Sequence, residues 1–180
     1  MRRIPVILAA TLVAGTLSAQ TADAVVNDLK RSWAGLKGTL QKAAEDMPED
    51  GYAFVPGPGA RNFGAWVGHV ADAQAMMCGS VTGAQKQLNA ERGKTSKADL
   101  VAAMKESNEM CDAAFNSVTA ANFLEPVQSF MGAVPKVSLL YGLFGHSQEG
   151  YGAMTVYLRS KSMVPPSTAA AAARGKGKGK

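Results

Sequence analysis

The sequence predicts an all-α fold, a single four-helix bundle. Three observations carry that reading: four segments repeat apolar residues at helical spacing, none shows the strict alternation of a half-buried strand, and 180 residues suffice for one ordinary core. A composition of 47% hydrophobic and 18% charged residues suits a globular chain, and its length excludes two domains of normal size.

The first helix is expected from Val25 to Asp46, because Val26, Leu29, Trp33, Leu36, Leu40, Ala43 and Met47 recur at steps of three and four. Pro48 to Gly51 stop it, and Pro56-Gly57-Pro58-Gly59 keeps the next stretch irregular. Asn62 has the side chain of an N-cap for a second helix, with Phe63, Trp66, Val67, Val70, Ala73, Met77 and Val81 on one face and fraying at Gly79 and Gly83. Ser96 and Asp99 resemble a capping box opening a third helix to about Val118, whose stripe is Leu100, Met104, Cys111, Phe115 and Val118. Pro135 suits the first turn of a fourth helix reaching Lys161. Its expected face is Leu140, Phe144, Tyr151 and Leu158, flanked by Leu139, Leu143, Ala153 and Tyr157, and Pro165-Pro166 close it. Asn122 to Val134 reads as a long ordered connection. Residues 168–180, an alanine run followed by alternating Gly and Lys, read as a disordered tail.

The first twenty residues read as a cleavable secretory signal peptide. Arg2 and Arg3 are a positive n-region, Ile4 to Leu17 is largely apolar, and the small residues Ser18, Ala19, Ala22 and Ala24 follow. Cleavage after Ala19, Gln20 or Ala24 fits, an uncleaved N-terminal anchor being the alternative, and no other stretch is long and apolar enough to span a bilayer. The expected location is therefore outside the cytoplasm, in the periplasm or the medium.

A formal charge of +5 suggests nucleic acid until the cations are located. Six of the 19 Lys and Arg sit at the two ends, which leaves 13 basic residues against all 14 acidic ones between Thr21 and Thr168. A basic face for DNA or RNA is excluded as a first reading. The basic tail is expected at most to touch anionic surfaces weakly. Export also colours the two cysteines: in an oxidising compartment Cys78 and Cys111 are expected to pair across the second and third helices, two small buried thiols being the alternative.

The chain has two histidines, His69 and His146, each three residues after an apolar stripe member and so at the edge of the bundle interior. Two imidazoles do not complete a zinc site with its usual three protein ligands. Asp72 and Glu149, each three residues beyond a histidine, are the nearest carboxylates by helical spacing. There is no phosphate-binding glycine loop, nucleophile elbow, paired-cysteine zinc motif or HExxH.

The stretch His-Ser-Gln-Glu-Gly-Tyr-Gly-Ala-Met-Thr-Val-Tyr-Leu-Arg-Ser-Lys-Ser-Met-Val-Pro-Pro, from His146 to Pro166, resembles the C-terminal signature of DinB-like proteins. Gly68-His69-Val70-Ala71-Asp72-Ala73 is similar to that family's second-helix histidine motif, and Met47-Pro48-Glu49 with Tyr52 and Phe54 to its first loop. The resemblance spans most of residues 25–167. It implies an up-down-down-up four-helix bundle, often a homodimer, with a divalent metal held by three histidines. His69 and His146 match two of those positions, and the third is Gly150. The expected function is that of an exported DinB-like protein with a degenerate metal site, a binding or structural module holding no cofactor or a weakly bound zinc, nickel or iron. The alternative is a metal-dependent enzyme of the thiol transferase or isomerase type, in which Asp72, Glu149 or water completes the site.

Overall fold

The computed structural model describes residues 6–177, with side chains from Gln20 to Gly175. The fold is mostly helical, with four long helices: α1 (Val6–Asp46), α2 (Phe63–Thr82), α4 (Lys97–Ser117) and α5 (Lys136–Ser160). Short α3 (Ala90–Gly93) joins α2 to α4, the hairpin β1 (Pro126–Ser129) and β2 (Gly132–Pro135) joins α4 to α5, and α6 (Pro166–Gly177) follows α5. Both α1 and α2 pack against both α4 and α5. Among the described residues no helix is long and apolar enough to cross a membrane.

The first stripe is buried as its spacing requires, every member from Val26 to Met47 being at most 9% exposed. The helix itself starts earlier than expected. No proline interrupts residues 6–46, so the apolar run continues into the amphipathic part as one helix; Arg2 and Arg3 lie outside the described residues. Asn62 caps α2 by accepting from the Ala65 N–H at 2.7 Å, and Gly83 ends it in the left-handed region at φ 77°. Gly79 does not fray: it is buried within α2. Ser96 caps α4 from the Asp99 N–H, and its hydroxyl reaches the Asp99 carboxylate at 2.7 Å. Trp33 stacks on Phe115 with centroids 4.9 Å apart, while its indole N–H donates to Asp112 at 2.9 Å. Cys78 and Cys111 sit at disulfide distance with Cα atoms 5.0 Å apart, both inside the core between α2 and α4.

Three other expectations need correction. The buried side of α5 is Leu139, Leu140, Leu143, Ser147, Gly150, Met154, Tyr157 and Leu158, so Leu140 and Leu158 of the expected face and Leu139, Leu143 and Tyr157 of its flank are buried, while Phe144 and Tyr151 are only half-buried. The 122–134 connection contains an antiparallel hairpin, with Val127 opposite Val134 and Ser129 opposite Gly132 around a turn at Phe130-Met131. The segment expected to be disordered from residue 168 is helical to Gly177. Pro166 opens α6 where a missing N–H costs nothing, five alanines favour it, and the Tyr151 hydroxyl accepts from the Ser167 N–H at 2.9 Å. Lys178 and Lys180 lie outside the described residues.

Candidate functional site

The site begins with two glycines. A Cβ on Gly68 would stand 2.6 Å from Glu91 Cα, so glycine is what lets α3 rest directly on α2. Asp72, one turn along, fastens it: its carboxylate accepts the N–H groups of Ala90 and Glu91 at 2.8 and 2.9 Å. Glu91 is thereby set beside His69, with Oε2 2.8 Å from Nδ1. A carboxylate only accepts, so His69 Nδ1 is the donor in this contact. The other Glu91 oxygen accepts from Arg61 Nε at 2.7 Å, and the Arg61 guanidinium lies 4.9 Å from the centroid of Trp66. Burial works against the Glu91 charge, but the hydrogen bonds and charges of Arg61 and His69 outweigh it and hold the carboxyl below the usual glutamate range.

His146 comes from α5 and meets His69 edge to face, with centroids 4.9 Å apart and planes at 67°. Its Nε2 is buried with no hydrogen-bond partner, while Nδ1 is 3.9 Å from the Glu149 carboxylate, which is largely exposed. Burial first, then proximity to His69 and Arg61, keep the pKa of His146 below the ordinary imidazole value despite Glu149. Two half-buried imidazoles thus face one another, one oriented by a carboxylate and the other with an unsatisfied buried nitrogen.

The neighbours do not extend this pair to a three-ligand metal centre. Gly150 lies one turn from His146, but a Cβ there would overlap Val70 Cγ2. Both Asp72 oxygens are committed to the α3 backbone, and Glu149 is 72% exposed at its side chain. Among the described residues no group of three or more His, Cys, Asp and Glu is placed to hold a metal ion.

The model of the DinB superfamily matches residues 29–149, a span that contains both histidines. The chain belongs to the DinB superfamily. Two solved structures are similar to this DinB-superfamily chain. A DinB-like protein from Bacillus cereus is 19% identical with a TM-score of 0.66, covering 77% of this chain and 93% of its own. A DinB-like protein from Bacillus subtilis is 16% identical with a TM-score of 0.62, covering 76% and 93%. At those identities the likeness concerns the fold alone. No curated protein matches the chain.

The structure places the rings of His69 and His146 4.9 Å apart, the proximity that the family resemblance implies, and turns Asp72 to a different task, fixing α3. Glu91 and Arg61 escape a sequence reading because Glu91 reaches His69 from 22 residues away and Arg61 joins only through Glu91, 30 residues from it. The one local signal is Gly68, a helical glycine beside a histidine, which marks a close backbone approach.

Proposed function

We propose that this DinB-superfamily protein is an exported up-down-down-up four-helix bundle whose metal site is degenerate, acting as a binding or structural module rather than a metalloenzyme. The observation that carries the reading is the pairing of Gly150 with Val70: the position one turn from His146 has no side chain, and a valine methyl occupies the space a side chain would enter. The packing of α1 and α2 against α4 and α5 supports the bundle. Export rests on the order of charged, apolar and small residues at the N-terminus, and the Cys78–Cys111 pair fits an oxidising compartment. Homodimerisation and weak contact of the basic tail with anionic surfaces belong to the same proposal.

One observation favours the second reading, a divalent-metal-dependent enzyme of the thiol transferase or isomerase type: His146 Nε2 is buried without a hydrogen-bond partner, on a ring whose centroid is 4.9 Å from that of His69. Elemental analysis of purified, dialysed protein separates the two. Substoichiometric zinc, nickel and iron are expected. Near-stoichiometric metal that disappears in His69→Ala would reverse the preference.

A further inference from the structure

Away from the histidines, a groove of about 720 Å³ lies between α1, α5 and α6, and each of the three helices brings one arginine to it: Arg31, Arg159 and Arg174. Among the described residues no carboxylate lines it. That is unusual in a body where residues 21–168 carry 14 acidic groups against 13 basic ones. Among the described residues Arg31 is paired with Asp28 alone, one turn away at 2.9 Å, and both side chains are mostly exposed, so the pair is weak and open to competition. Arg159 reaches a neutral hydroxyl, that of Thr168, at 3.4 Å. Arg174 takes part in no ion pair among the described residues.

The floor is apolar and open. Leu36 is buried beneath it, Phe144 and Tyr151 are half-buried along it, and Gly35 and Gly152 face space with nothing within 4 Å of where a Cβ would stand. This explains why Phe144 and Tyr151 leave the α5 seam. The α5 residues along the groove, Gln148, Gly152, Thr155 and Arg159, keep helical spacing about half a turn from His146 and Gly150. The groove is thus separate from the histidine pair and does not rest on the reading given to it.

We propose that this groove binds an organic phosphate. Guanidinium forks match phosphoryl oxygens, and three of them supply more donors than the two oxygens of one carboxylate can use, whereas a phosphate ester offers three oxygens and up to two charges. The apolar part of the ligand lies over Phe144 and Tyr151. The phosphate can belong to a soluble ester or to a lipid headgroup, and the two sources are separable.

Calorimetric titration of the protein with phenyl phosphate, with phenol as the neutral control, tests the soluble source. Flotation with phosphatidylglycerol vesicles, against pure phosphatidylcholine vesicles, tests the lipid source. Binding in at least one arm is expected, and Arg31→Gln with Arg159→Gln should weaken it about tenfold or more. Both arginines are exposed, so the variant should melt with the parent. A chain ending at Gly175, which keeps Arg174 and loses three lysines, should bind as the parent does. Binding unchanged in the double variant, binding lost only with the lysines, or no binding in either arm would each overturn the proposal.

Discussion

His69 and His146 lie ring to ring with centroids 4.9 Å apart, yet only His69 has a carboxylate within hydrogen-bond distance of its Nδ1. The asymmetry divides their roles: His69 is oriented by Glu91, whereas His146 is held by packing, its Nε2 enclosed without a partner.

Gly150→His alone should destabilise the protein. Replacing a helical glycine is worth up to about 1 kcal/mol, but overlap with Val70 should cost about 1–3 kcal/mol. Thermal melting should show the loss. Combining it with Val70→Ala should restore stability and create zinc affinity measurable by calorimetry, abolished again by His69→Ala. Equal zinc binding by the parent would contradict this.

Glu91→Gln should cost about 1 kcal/mol near neutral pH, where the Arg61 and His69 contacts act on an ionised carboxylate. The folded-state pKa of Glu91 is depressed, so its contribution is fully present above the unfolded value of about 4.3 and is lost as the pH falls through the lower folded value. Urea unfolding of parent and variant should therefore diverge at neutral pH and converge in acid.

Asp72→Ala should release α3 without unfolding the chain, costing about 1–2 kcal/mol in the manner of a lost helix cap. Hydrogen exchange at the Ala90 and Glu91 amides should accelerate well beyond that of the α4 core. Uniform acceleration through every helix would show that Asp72 does more than hold this segment.

Reduction of the Cys78–Cys111 pair should lower stability by about 3–4 kcal/mol, the chain-entropy expectation for a sequence separation of 33. Peptide mapping without reductant identifies the linkage, and melting with and without reductant measures its effect. Two freely alkylated thiols in protein recovered from an oxidising compartment would refute it.

Deleting residues 169–180 should shift the melting temperature by less than about 2 °C although the segment is helical, because every α6 residue from Ser167 to Gly175 is exposed while Pro165 and Pro166, which are kept, are buried. A drop of several degrees would mean that α6 contributes to the core.

The long helices were legible because burial imposes a period on the chain: Val26 to Met47 and Leu100 to Val118 each lie on the face that their spacing defines. Asn62 and Ser96 were legible as caps for an equally local reason. On α5 the pattern places Leu140 and Leu158 in the core but misplaces Phe144 and Tyr151, which are apolar yet flank a groove, while the buried side passes through Ser147 and Gly150, which no hydropathy pattern would select. Spacing puts each histidine at the edge of the interior, and the family resemblance, not the spacing, implies that they meet. Their supports were not legible: Glu91 depends on Asp72 and Gly68 acting through backbone contacts made only after folding. In the tail, low complexity obscured the strong helix preference of alanine.

The contact between Gly150 and Val70 also bears on descent. A lineage moving between glycine and histidine at position 150 has to change two sites, and neither order is neutral: histidine first meets the valine methyl, and a smaller residue at 70 first opens a cavity in a packed interior. Each single-step intermediate is less stable than either end point. With the few kcal/mol by which domains exceed the threshold for staying folded, such a valley is rarely crossed, so the glycine form is held in place by its neighbour whether or not selection acts on metal binding at all.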